Sequence, residues 1–114
     1  MQHEPHNPAW QRDLAVSQQN LGRVFLLAGQ HAAAVASFGD SLALREALAR
    51  AYPEDVRLQT DLVSSLVDLA QAGERPRLHY ERALAILQRL DGRLDVSQTE
   101  WKGAIEQWLA ELPP

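Results

Sequence analysis

Residues 21–38, Leu21-Gly22-Arg23-Val24-Phe25-Leu26-Leu27-Ala28-Gly29-Gln30-His31-Ala32-Ala33-Ala34-Val35-Ala36-Ser37-Phe38, decide the fold. Gly22 sits beside Leu21, and Phe25 follows three positions later. A turn falls at Ala28-Gly29-Gln30, and beyond it Ala34 and Phe38 are four apart. The stretch therefore reads as two helices folded back on each other. The small residues allow two backbones to approach, and the aromatic rings fill the space between them. Gly29 closes the first helix, because glycine is favoured just past a helix end. The alanines at 32–34 start the second with high intrinsic helix propensity.

Upstream, Asn7-Pro8 marks a helix start: Asn can cap, and Pro is tolerated where the first N–H is not needed. Trp10, Leu14, Ser17, Leu21, Phe25 and Ala28 then recur at spacings of three and four, which is one face of a helix. Residues 1–6 read as a flexible lead-in. Downstream, the second helix runs from about 30 to 51 with Val35, Phe38, Leu42, Leu48 and Tyr52 on its apolar side. Pro53 ends it by forcing Tyr52 out of the helical region.

A third helix starts near Pro53-Glu54-Asp55, presents Leu58, Leu62, Leu66 or Ser65, and Leu69, and ends at Ala72-Gly73. A fourth begins near Pro76, uses Tyr80, Ala83, Leu84, Leu87 and Leu90, and ends at Asp91-Gly92. A fifth opens at Ser97-Gln98-Thr99-Glu100, read as a capping box with Ser97 as cap, and carries Trp101, Ile105, Trp108 and Leu112. No segment alternates with period two and the turns are short. The expectation is an all-α chain of five antiparallel neighbours.

The chain also repeats itself. Gln11, Asp13, Leu14, Ser17 and Leu21 recur as Gln59, Asp61, Leu62, Ser65 and Leu69 at one offset, and Gly22 becomes Ala70. Phe38, Leu42 and Ala43 recur as Tyr80, Leu84 and Ala85 at a shorter offset. The second unit is expected to have lost residues around its turn, leaving Gly73-Glu74-Arg75-Pro76. Repeated helix pairs need neighbours to bury their second faces, which argues for a solenoid.

The pattern Leu21-Gly22…Phe25…Ala34…Phe38 resembles the tetratricopeptide repeat. The runs Trp10-Gln11-Arg12-Asp13-Leu14-Ala15-Val16-Ser17 and Ser41-Leu42-Ala43-Leu44-Arg45-Glu46-Ala47-Leu48 are similar to a long-period bacterial subgroup of it. The resemblance spans roughly residues 7–90. It departs from the family pattern at Gln18, where Trp is common, and at Gly73, where the aromatic of Phe25 is lost. It implies a short right-handed helical-repeat solenoid with hairpins at 7–52 and 53–92 and a capping helix at 97–112, so that residues 7–114 form one domain. It also implies a concave groove lined by the first helix of each pair. Carried over position by position, the groove residues are Val16, Gln19, Asn20, Arg23 and Leu27, then Ser64, Val67, Asp68 and Gln71. This set lacks the lysines and asparagines of a carboxylate clamp. It suits a peptide held by amide hydrogen bonds with Arg23 as ionic anchor. Trp101 and Trp108 read as a cap over the last apolar face, worth on the order of a few kcal/mol each when buried; the alternative is that they meet a second copy or a partner.

Composition and chemistry narrow the function. The chain has 114 residues, 46% hydrophobic and 23% charged, with net charge −4 and no cysteine. One domain is expected. Disulfides, thiol catalysis and thiolate metal sites are excluded. There is no basic stripe of the kind nucleic-acid binders show, no apolar run long enough to span a membrane, and no secretory n- and h-region. The cytoplasm is the default compartment. His3 and His6 lack a fixed third ligand for zinc. His31 and His79 read as surface or boundary residues. Asp61 and Asp68 suit a solvated stripe, and Asp13 and Asp61 suit helix N-terminal halves. No acid–base pair, nucleophile elbow, phosphate loop or cofactor motif stands out, so an enzyme is not expected. Arg75, Arg82, Arg89 and Arg93 form a basic row on the fourth helix. It reads as a solvated face paired with Glu81, or as a docking edge for an acidic peptide or for the fifth helix. The leading expectation is a non-catalytic interaction module that binds a protein or peptide segment. A self-assembling, homo-oligomeric repeat unit is the alternative.

Overall fold

A computed structural model describes residues 7–113. They form five helices: α1 (Pro8–Leu27), α2 (His31–Ala51), α3 (Val56–Gln71), α4 (Pro76–Arg89) and α5 (Val96–Ala110). There is no strand among the described residues. The lead-in expected over residues 1–6, with His3 and His6, lies outside them.

The odd-numbered helices share one start. The side chains of Asn7, Asp55 and Asp95 each accept from the backbone N–H three residues on, at Trp10, Leu58 and Gln98. This satisfies a donor that no helical turn can reach. The capping box expected at Ser97–Glu100 is instead Asp95–Gln98, where the Gln98 side chain also accepts from the Asp95 N–H at 3.0 Å. The carboxylate of Asp95, two residues earlier, takes the cap.

α1 and α3 also end alike. Gly29 and Gly73 adopt positive φ of 78° and 85°. Gln30 N–H donates to Phe25 O and Glu74 N–H to Leu69 O, while Gly29 and Gly73 N–H donate to Leu26 O and Ala70 O. Both are Schellman ends. The contraction of the second unit is therefore not in its turn. Gly22 lies seven residues before Gly29, but Ala70 lies only three before Gly73, so most of the loss comes from the end of helix α3.

Each helix packs on the next, α1 on α2, α2 on α3, α3 on α4 and α4 on α5. The molecule is a slab of 50 × 38 × 20 Å, two helix diameters thick. In the first hairpin α1 presses on α2 at Gly22, where a Cβ would sit 2.5 Å from Phe38 Cδ1. Phe38 anchors a small cluster with Ala34, Leu69 and Ala72. The larger core lies in the second half, around Val63, Leu66, Ala83, Leu87 and Ile105. Trp101 and Trp108 are half-buried against it, and Trp108 lies 5.9 Å from the ring of Tyr80.

Candidate functional site

Between α1 and α3 runs a polar seam. The Arg12 guanidinium Nε donates to Asp61 Oδ2 at 2.7 Å. One helical stretch further, the Gln19 amide donates to Ser64 Oγ at 2.8 Å and to Asp68 Oδ2. Arg23 then approaches Asp68 at 3.5 Å. Arg12, Gln19 and Arg23 share one flank of α1, and Asp61, Ser64 and Asp68 share one stripe of α3, because spacings of three, four and seven return to the same side of a helix.

Behind this seam lies a buried polar cluster that joins all three helices. Ser41 Oγ donates to the Ala15 carbonyl at 2.8 Å and lies 3.3 Å from Ser65 Oγ. Arg45, only 3% exposed, donates from Nη1 to Ser65 Oγ at 2.9 Å. Its Nε is buried without a hydrogen-bond partner. Burial lowers the Arg45 pKa, and the fields of Asp61 and Asp68 oppose that shift. The two aspartates thus serve two tasks: each pairs with an α1 arginine, and together they make a buried cation tolerable.

The residues expected to line a groove separate into two groups. Gln19 and Val67 are buried, and Ser64 and Asp68 are half-buried within the helix contact. Gln19, Ser64 and Asp68 are occupied by their own chain, bonded to each other across α1 and α3, and Val67 lies in the core. Asn20, Arg23, Leu27 and Gln71 are exposed, and Val16 is intermediate. Leu27 is 90% exposed, the most of any large apolar side chain described. Gln71 also hydrogen-bonds Tyr80, whose phenol pKa is raised by burial.

Other expectations shift as well. Asp61 pairs with Arg12 of α1. His79 is buried, with Nδ1 2.6 Å from the Glu74 carbonyl, and serves the α3–α4 turn. The arginines of the row do not pair with Glu81: Arg82 donates to Glu46 of α2, Arg89 to Gln59 of α3, and Arg93, beyond the end of α4, to the Glu54 carbonyl. Arg75 sits outside this row, as the left-handed residue before α4 at φ 43°. Sequence reasoning did not single out Ser41, Arg45 or Ser65 as a cluster. The signal available was the position of Arg45, seven residues after Phe38 and three before Leu48, on the same helical stripe as these two apolar residues.

Among the described residues no group of three His, Cys, Asp or Glu side chains could hold a metal ion. No helix among them is long and apolar enough to cross a membrane. Comparison with protein-family models, curated proteins and solved structures gives no match.

Proposed function

We propose that the chain is a non-catalytic protein-interaction module, a short right-handed stack of tetratricopeptide-like hairpins that binds a peptide or protein segment along α1 and α3. The observation that carries the reading is the exposed row of Asn20, Arg23, Leu27 and Gln71 beside the α1–α3 seam. It combines amide donors and acceptors, a guanidinium and an apolar side chain on a scaffold held by internal ion pairs. Such a rigid, mixed surface suits an extended partner segment. The alternating helix contacts and the shared caps of α1, α3 and α5 support the repeat reading.

The test is capture on the immobilised chain, identification of the bound protein, and measurement of its affinity in purified form. Arg23→Glu with Leu27→Asp is expected to weaken binding at least about tenfold, the equivalent of roughly 1.4 kcal/mol. Unchanged affinity in that double variant would remove the α1–α3 surface from consideration.

A second reading, self-association, is favoured by a separate observation. Leu21 and Val24 are 44% and 59% exposed on the flank of α1 turned away from α3. Their repeat counterparts Leu69 and Ala72 are buried against α2. An α2-like helix from a second copy would complete α1 in the same way, by heterologous association. Sedimentation across a concentration range is expected to show association that Val24→Asp abolishes; a monomer throughout rejects this reading.

A further inference from the structure

The basic row on α4 borders a cleft that shares no residue with the α1–α3 seam. Glu46 and Arg50 of α2, Glu54 of the following turn, Gln59 of α3, and Arg82 and Arg89 of α4 line an open cleft of about 470 Å³. Its charges do not balance. Glu46 is taken by Arg82 at 2.9 Å, and Glu54 by Arg93 at 3.5 Å. Arg50 and Arg89 remain, and neither faces a carboxylate within ion-pair distance among the described residues. Two unneutralised guanidiniums therefore point into one cleft of a chain whose net charge is −4.

The cleft is built rather than incidental. Gln59 is 2% exposed, donates its amide to the Ala49 carbonyl at 3.0 Å, and accepts from Arg89 Nη2 at 2.9 Å. A buried side chain thus fixes one arginine, while its remaining N–H donors stay available. Glu46 fixes Arg82 in the same manner, and Ala49, Leu62 and Pro53 give an apolar floor.

We propose that this cleft recognises carboxylate groups of an acidic peptide segment. Arg matches a carboxylate with a planar, two-point fork. The volume exceeds that of one small oxyanion, and the apolar floor suits the methylene stems of glutamate side chains. Glu46 and Glu54 in the wall disfavour charge concentrated at one point, as in phosphate, and favour single charges spaced along a chain. The site is independent of the α1–α3 surface.

The test is titration of the full-length, ¹⁵N-labelled chain with hexaglutamate, hexaglutamine, glutarate and inorganic phosphate, following the arginine Nε–H signals. Hexaglutamate is expected to shift Arg50, Arg82 and Arg89 saturably, and hexaglutamine is not. Arg50 is exposed and makes no ion pair, so its variants keep the fold. Arg50→Gln is expected to weaken hexaglutamate about fivefold, in line with loss of one partly solvated pair, and Arg50→Glu to weaken it further. Arg23→Glu, on the other surface, leaves this binding unchanged, so failure here is separable from failure of the module reading. Absence of a saturable shift overturns the proposal, as does equal affinity in Arg50→Glu. Glutarate or phosphate binding as tightly as hexaglutamate overturns the peptide as its source.

Discussion

α1 and α3 begin with the same cap, end with the same Schellman turn and share a sequence register, yet they live in different surroundings. On α3 the stripe Leu58, Leu62, Ser65, Leu69 and Ala72 is buried throughout. On α1 the matching positions Trp10 and Leu14 are intermediate and Ser17, Leu21 and Val24 are exposed. The difference is one of neighbours. α3 lies between α2 and α4, whereas α1 packs closely on α2 and meets α3 only through the polar seam. Amphipathic pattern thus records what a helix can bury, and the neighbours decide how much of it is buried.

The largest test of this contrast is Leu69→Ala against Leu21→Ala. The first opens a cavity beside Phe38 and is expected to cost about 2–5 kcal/mol; the second trims a surface side chain and is expected to cost less than about 1 kcal/mol. Urea unfolding of both variants checks it, and equal losses would show that α1 carries a hidden partner. Next comes the close approach at residue 22. Gly22→Ala drives a Cβ into the Phe38 ring and is expected to cost about 1–3 kcal/mol. Gly39→Ala, where a Cβ meets nothing within 4 Å, is expected to stabilise by roughly 0.5–1 kcal/mol through helix propensity. Thermal melts of the pair separate packing from propensity.

Where the two helices are alike, the effects should be alike. Asn7→Ala and Asp55→Ala each remove one cap bond and are expected to cost about 1 kcal/mol, read from the same urea curves. The smallest effect concerns pH. Burial raises the Tyr80 pKa above its ordinary 10.0, so the folded state holds this proton more tightly than the unfolded one. The associated stability is complete below about pH 10 and is lost as pH rises through the folded value. Tyr80→Phe, which gives the second unit the ring of the first, is expected to flatten the alkaline limb of stability against pH.

The helices were legible in the sequence because spacings of three and four, Asx starts and Gly ends act within one segment. Residues 7–8, Gly29, Pro53 and Gly73 mark boundaries without help from elsewhere. The fate of polar side chains was not legible in the same way. Gln19 and Asp68 fall at the margin of their apolar faces, and only the placement of α1 against α3 turns them from surface groups into partners. His79 was buried by a turn whose geometry depends on Arg75 in a left-handed conformation. Arg45 was hidden because a charged residue in a helix reads as solvated until Ser65, Asp61 and Asp68 are brought to it. Of the candidate surface, Asn20, Arg23, Leu27 and Gln71 are the exposed members. Which of their neighbours stay open was a matter of tertiary contact.

The seam between α1 and α3 has a direction. Every donor in it, on Arg12, Gln19 and Arg23, comes from α1, and every acceptor, on Asp61, Ser64 and Asp68, comes from α3. On α1 itself, the positions matching those α3 acceptors are Asp13, Val16 and Asn20. The molecule therefore has a head and a tail. The outer edge of α1 does not repeat the acceptor stripe of α3: it keeps one carboxylate, Asp13, where α3 has Asp61 and Asp68.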